Sequence, residues 1–256
     1  MAQWTENIWL FYLASALAGY LSGSISFARI ISAIFQKDQE VKKIHRPIPD
    51  TDLTLESDAV AATSVNLQLG AKFGCLTSLL DMFKVALPVW LLMHYFPDNH
   101  AFLYTAMFGM VGHVYPVFHR FKGGRGQAPL LGGLLAINWF GVFLANGAAV
   151  ILGYLSGTVL VMRWGWMVLI IPWFALYFKD PWYVTYISLA NFLFFFSMRR
   201  ELATGIKIGR SRKSTQEEVS EFMLMGKKLG RFIDHYGLPA LVKKVFRRKD
   251  SRNSSA

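Results

Sequence analysis

The 256-residue chain is 54% hydrophobic and 15% aromatic, with a mean hydropathy of +0.33, above the roughly 45–50% apolar share of a soluble domain. Its apolar residues come in runs of about 20, the length that crosses a bilayer, which excludes an ordinary soluble enzyme. Cys75 is the only cysteine, so an intrachain disulfide is excluded. The net charge of +11 in a chain with this many apolar runs reads as affinity for anionic lipid rather than for nucleic acid.

Residues 8–35 form the first apolar run, and its far end reads Gly23-Ser24-Ile25-Ser26-Phe27 and then Arg29. The polar stretch 36–56, with Lys37, Lys42, Lys43, Arg46, Pro47 and Pro49, reads as an irregular loop. Residues 57–70 are small and polar-studded and lead into a second span at about 72–96, which carries Asp81 and Lys84. Three residues apart on a helix, these two share a face, and inside a membrane they should point into the bundle as a structural ion pair. A turn at Pro97–His100 starts a third span, 101–118. A short apolar segment, 128–137, is expected to be buried in the bundle or to form a short span. Runs at about 139–161, 164–178 and 182–198 follow, with Trp164, Trp166, Trp182 and Tyr183 at run ends, where an interfacial aromatic belt would place them.

This pattern predicts an all-α polytopic membrane bundle of about seven transmembrane helices. The loops at 36–56, 119–127 and 163, together with the tail, hold most of the Lys/Arg. The positive-inside bias therefore puts them in the cytoplasm and the N-terminus outside. Residues 1–200 form the transmembrane domain and 201–256 a basic cytoplasmic tail with amphipathic helices. Residues 199–256 hold fifteen Lys/Arg against six Asp/Glu. Ser214 with Glu217 fits a capping box. Leu238, Leu241, Val242, Val245 and Phe246 recur at helical spacing beside Lys243, Lys244, Arg247, Arg248 and Lys249, a pattern suited either to anionic lipid or to a solvated charged helix.

Between the third span and the short segment lies GHVYPVFHRFKGGRGQAP, residues 112–129. Lys122-Gly123-Gly124-Arg125-Gly126 lacks P-loop spacing, but its glycines permit close backbone approach. Two cations and bare N–H groups at the start of a helix suit a phosphate. The alternative is an ordinary cytoplasmic basic loop. His113, near the end of its span, is either a hydrogen-bonded packing residue or a catalytic base. Ser24 and Ser57 could donate hydrogen bonds to a phosphate. No catalytic triad, metal-ligand spacing or Rossmann-type fingerprint is present, so no covalent acyl-enzyme, metal or cofactor is expected.

Taken in order, these stretches resemble the bacterial acyl-phosphate-dependent glycerol-3-phosphate acyltransferases, the PlsY family. GSISFA is similar to the family's G-S-I-P-F-G, and ESDAVAATSVNLQLG stands in the place of G-S-G-N-I-G-A-T-N. LLDMFKVALPVWL matches the family's L-L-D-x-x-K-G-x-x-P at Asp81, Lys84 and Pro88. GHVYPVFHRFKGGRGQAP resembles G-H-x-F-P-V-F-L-x-F-K-G-G-K-G-V-A-T, the best match, and MRRELATGIKIG lies where the family has H-R-E-N-I-x-R-L.

The resemblance implies a multi-pass enzyme of the cell (inner) membrane with cytoplasmic active-site loops. It would transfer an acyl group from acyl phosphate to glycerol 3-phosphate, or a related polyol phosphate, to give lysophosphatidic acid for phospholipid biosynthesis. Ser57 and His113 are then the implied catalytic pair. Ser24, Lys122, Gly123, Gly124, Arg125, Gly126, Arg199 and Arg200 would bind substrate, and Asp81, Lys84 and Glu201 would be structural. The basic tail would meet anionic membrane lipids. The chain departs from the family at Glu56, Asp58 and Ala59 in the first motif, where an upstream arginine is also missing. It departs again at Pro129, Arg199 and Leu202. A carboxylate about 4 Å from a phosphate repels it by about 4 kcal/mol at an effective dielectric near 20. The other reading is therefore a non-catalytic relative that binds a phosphate or lipid headgroup as a membrane partner or regulator.

Overall fold

A computed structural model describes residues 7–35, 44–47, 54–57, 59–210, 216–222 and 227–241. Among the described residues, five helical stretches are long and apolar enough to cross a membrane: Ile8–Phe35, Ala71–Tyr95, Ala101–His119, Gln127–Ser156 and Val159–Phe178. The first is α1 (Ile8–Ser24) broken before α2 (Phe27–Phe35). The others contain α4 (Ala71–Tyr95), α5 (Ala101–Val114), α6 (Gln127–Ser156) and α7 (Val159–Phe178), and α8 (Pro181–Ser197) follows with 17 residues. Only helices satisfy their own backbone in lipid, and such helices can be apolar all round. Trp9, Leu13 and Leu17 on α1 and Trp139, Phe143 and Ile151 on α6 accordingly stay exposed. Met110, Leu130, Leu134, Met167, Ile170, Phe174, Ile187 and Phe194 fill the core.

The stretch expected to be irregular at 36–56 contains an antiparallel ribbon, β1 (Ile44–Pro47) with β2 (Thr54–Ser57), and Ile44 pairs with Ser57. Strands of four residues carry too little alternation to be seen in sequence, and Pro47 stands at the ribbon's end, where its missing N–H is tolerated. After the ribbon comes α3 (Ala62–Leu69), which packs on α2 through Ala28, Ile31 and Val65.

Two features place the site. First, α1 and α5 cross with backbones touching: a Cβ added to Gly23 would lie 2.0 Å from the Gly109 carbonyl oxygen. Small residues allow this approach, and it brings the end of α1 against the end of α5. Second, α6 turns back at Asn138 (φ −155, ψ 80). Before Asn138, Ser197 holds the Arg125 carbonyl and Gly133 lies against Tyr186, so this half runs opposite to α8. After it, Gly141 lies against Trp173 and Gly153 against Met162, so that half runs opposite to α7. Because α7 and α8 are themselves antiparallel, with Asn191 on the Met167 carbonyl, the two halves of α6 run in opposite senses.

The short apolar segment at 128–137 is thus the outgoing arm of a helical hairpin. The Asn138 Oδ1 accepts the Gly141 N–H at 2.6 Å, an N-cap for the returning arm. Asn138→Ala is expected to cost about 1 kcal/mol, read as a fall in the thermal midpoint of the purified protein.

At the end of the bundle away from residues 119–127, Asp180 caps α8 through the Trp182 N–H at 2.9 Å and meets His100 Nε2 at 2.7 Å. The Trp182 N–H, and then His100, hold the Asp180 carboxyl below its ordinary range. Because its folded-state pKa lies below the unfolded one, this stabilisation is complete above about pH 4 and fades as pH falls through the folded value. The thermal midpoint should drop more steeply on acidification below about pH 4 in the wild type than in Asp180→Asn.

Three shorter helices follow: α9 (Arg199–Arg210), α10 (Gln216–Phe222) and α11 (Lys227–Tyr236). The expected capping serine, Ser214, lies outside the described residues. The first N–H groups of α10, on Gln216 and Glu217, donate to Asp234 of α11 at 3.1 and 3.2 Å. Val219 and Ile233 join the core of the bundle, so the described tail packs with the membrane helices. Of the basic amphipathic pattern at 238–249, only Leu238 and Leu241 lie within the described residues.

Candidate active site

The site is built on the segment between α5 and α6. After Val114 the chain makes a short 3-10 turn (Val117–His119), then places Arg120 and Phe121 in the left-handed region, at φ 50 and 59. That conformation costs roughly 1–2 kcal/mol per residue. Bonds from Phe121 N–H to the Pro116 carbonyl (3.0 Å) and from Lys122 N–H to the His119 carbonyl (3.1 Å) hold it. The glycines then fold back under α5, and the Gly124 N–H donates to the His113 carbonyl at 3.0 Å. A Cβ at Gly124 would lie 2.1 Å from His113 Nε2, and Gly126 has φ +87. Neither position accepts a side chain without displacement.

Four distant segments grip this loop by its carbonyls and by Arg125. Arg29 Nη2 donates to the Lys122 carbonyl at 3.0 Å, and the Val60 N–H to the Gly123 carbonyl at 3.1 Å. Ser197 Oγ donates to the Arg125 carbonyl at 2.9 Å, and the Arg125 guanidinium pairs with buried Glu201 of α9. With the carbonyls engaged, the N–H groups of Gly123, Gly126, Gln127 and Ala128 donate to no described residue. They are joined by the start of α6 and by Lys122, which is exposed. Free N–H groups, a helix N-terminus and a cation on one short segment are the ingredients of an anion site.

Beneath the loop sits a buried polar cluster, with Asp81, Lys84 and His113 at 1%, 6% and 7% exposure. Lys84 Nζ reaches the Ile25 carbonyl (2.6 Å), Asp81 Oδ1 (2.7 Å) and His113 Nδ1 (3.0 Å). An ammonium has three protons and no acceptor, so these three acceptors use it completely. His113 Nδ1 is then the accepting nitrogen, and its proton sits on Nε2, against Gly124. Ser22 Oγ donates to the Lys84 carbonyl. The cluster thus ties α1, α4 and α5 together directly under the glycines.

The residues expected from the sequence fall into three groups. Lys122, Gly123, Gly124, Arg125 and Gly126 form the loop, and Asp81, Lys84 and Glu201 support it. His113 lies under the loop rather than at its open face. Ser24 is buried at the end of α1, donating to the Tyr20 carbonyl and accepting the Val117 N–H at 3.4 Å. Arg199 and Arg200 are exposed at the start of α9, and Arg199 lies 4.4 Å from the Phe196 ring centroid. Ser57 ends β2, which lies beside α9.

Three loop contacts were not expected. Arg29 was visible as a cation just past the GSISFA stretch, whereas Val60 and Ser197 carry no signal of their own. Among the described residues, no group of three or more His, Cys, Asp or Glu could hold a metal.

A family model described as glycerol-3-phosphate acyltransferase matches residues 13–207. The glycerol-3-phosphate acyltransferase of Methylobacillus flagellatus is 35% identical over 164 residues, covering 60% of this chain and 76% of the relative. The glycerol-3-phosphate acyltransferase 1 of Oceanobacillus iheyensis is 30% identical over 168 residues, covering 60% and 73%. The crystal structure of PlsY (YgiH), an integral membrane glycerol 3-phosphate acyltransferase, in its glycerol 3-phosphate form, superimposes with a TM-score of 0.61. The identity is 24%, over 81% of this chain and 98% of that one. Its lysophosphatidic acid form gives 0.62 at 22% identity, over 81% and 97%.

Proposed function

The chain belongs to the glycerol-3-phosphate acyltransferase family, and we propose on that footing that its glycine loop holds glycerol 3-phosphate for acylation. The protein is a membrane acyltransferase of phospholipid synthesis. One observation carries the assignment of the site. The carbonyls of Lys122, Gly123 and Arg125 are all turned to protein partners, while the N–H groups of Gly123, Gly126, Gln127 and Ala128 donate to no described residue, which supports a phosphate held by these N–H groups and Lys122.

The donor in this reading is an acyl phosphate, a mixed anhydride that is already activated. The acceptor hydroxyl attacks the acyl carbon, the carbon–oxygen bond to phosphate breaks, and the departing phosphate takes up the hydroxyl proton and leaves as inorganic phosphate. No protein nucleophile is required, and the protein's work is orientation and charge stabilisation. Lys122 and the loop hold the acceptor's phosphate. Ser57, at the end of β2, and Arg199 and Arg200 of the adjoining α9 hold the donor's. His113 acts as a positioning residue, because its Nδ1 is engaged by Lys84. With α6 counted as two arms the chain makes seven crossings. The N-terminus is then outside, the loop is cytoplasmic in the inner membrane, and the basic tail lies near anionic lipid.

Glu56 and Asp58 on either side of Ser57 favour a second reading, in which the chain holds the acceptor phosphate but no longer turns over. Purified protein in detergent, given acyl phosphate and glycerol 3-phosphate, separates the two. Lysophosphatidic acid that disappears in Ser57→Ala supports the enzyme. Retained glycerol 3-phosphate binding without product, from this or any other polyol phosphate, leaves the second reading.

A further inference from the structure

The α10–α11 hairpin lies beyond the family match at residues 13–207, and the loop site does not use it. It is nevertheless firmly built. Asp234 caps α10, Arg231 pairs with Glu217 at 2.9 Å, and a Cβ on Gly230 would lie 2.3 Å from the Gln216 carbonyl oxygen. It docks on the turn between α6 and α7, where Gln216 Oε1 accepts the Val159 N–H at 3.0 Å and Pro239 lies against Gly157.

The outer face of α11 has an unusual composition for an aqueous surface. Phe232 and Tyr236 are 48% and 53% exposed, and Leu238, two residues past the helix, is 42% exposed. Phe232 stacks toward Tyr236, with ring centroids 5.4 Å apart, and meets Tyr154 of α6 at 6.4 Å. Tyr154 is flanked by exposed Ile151 and Leu155 on the same membrane-spanning helix. The apolar surface that α6 shows to lipid therefore continues without a break onto α11. Lys228 and His235 are exposed alongside it, as are Arg231, which also holds Glu217, and Asp234, which caps α10, and the sequence goes on to Lys243, Lys244, Arg247, Arg248 and Lys249.

We propose that α11 is an interfacial helix lying on an anionic bilayer surface, with its Phe232 and Tyr236, and Leu238 just past its end, at the acyl boundary and its cations among the headgroups. Aromatic side chains suit that level of a membrane, and a basic helix with an apolar face gains from both burial and lipid charge. Continuity with the α6 lipid face sets the depth, and the cationic flanks set the headgroup sign. The proposal deepens the placement of the tail given above. It rests on the spanning bundle and not on acyl transfer, so an inactive protein still decides it.

The test is hydrogen exchange of residues 227–241 in the full-length protein, reconstituted in phosphatidylcholine alone or with added phosphatidylglycerol. The α11 amides should exchange at least about threefold more slowly with phosphatidylglycerol, and added salt should remove the difference. Phe232→Ser with Tyr236→Ser should abolish it, with α10 protection showing that the hairpin itself remains folded. Equal rates for the wild type in the two lipids would overturn the proposal. So would protection that follows the number of protein copies per liposome instead of lipid charge, since that would put a second chain on this face.

Discussion

Lys84→Met is expected to destabilise the bundle by about 3–5 kcal/mol, the range for removing one partner of a buried ion pair. The substitution nearly conserves volume, so the loss would come from electrostatics and hydrogen bonding rather than from a cavity. It would leave Asp81, only 1% exposed, facing His113 Nδ1 at 3.6 Å. The Ile25 carbonyl and His113 Nδ1 would also lose their donor. The decisive measurement is a double-mutant cycle with Asp81→Leu, followed by thermal or denaturant unfolding in detergent. Removing both charges should recover at least about 1 kcal/mol of the summed single losses, because the pair then no longer has to be desolvated. Strict additivity would show that the two groups do not stabilise each other. A further consequence distinguishes support of the loop from plain stability. In the Lys84 variant His113 is no longer held, and the Gly124 N–H, bonded to the His113 carbonyl, should exchange faster even well below the unfolding midpoint.

Lys122→Ala is expected to lower kcat/KM for glycerol 3-phosphate by about 100-fold, equivalent to ~2.7 kcal/mol of transition-state stabilisation. Lys122 is exposed and its side chain pairs with no group among the described residues, so the loss should appear without a change in thermal midpoint. Lys122→Arg keeps the charge and should retain more activity, although a guanidinium does not reproduce the point charge of an ammonium. Lys179→Ala is the control. It removes an equal charge from the turn beside Asp180, at the opposite end of the bundle, and should change kcat/KM less than about twofold, since separation and salt screen it. If Lys122→Ala stays within about threefold of the wild type, the loop does not hold the reacting phosphate.

The two substitutions separate what was readable in the chain from what was not. A membrane imposes its demand locally: each crossing needs a run of apolar residues of a given length, and turns between runs need glycine, proline and charge. The bundle, the basic distribution and the Lys122–Gly126 loop were legible for that reason. Asp81 and Lys84 could also be paired by their three-residue spacing on one helix. Their third partner could not, because His113 lies 29 residues further along the chain, and nothing in a lone histidine says whether it faces a substrate or a lysine.

The same limit explains the remaining differences. The reversal at Asn138 depends on which neighbours each arm of α6 can pack against. The capping of α10 by Asp234 joins residues 18 positions apart, while the sequence offered a nearer serine. The loop is gripped by Arg29 from 93 residues upstream and by Ser197 from 72 downstream. Chain order and local chemistry by themselves determined that this protein spans a membrane and carries a phosphate-suited turn. Only the tertiary structure decided which carbonyls and which N–H groups of that turn are already taken, because a hydrogen bond depends on distance in space and leaves no trace in sequence spacing.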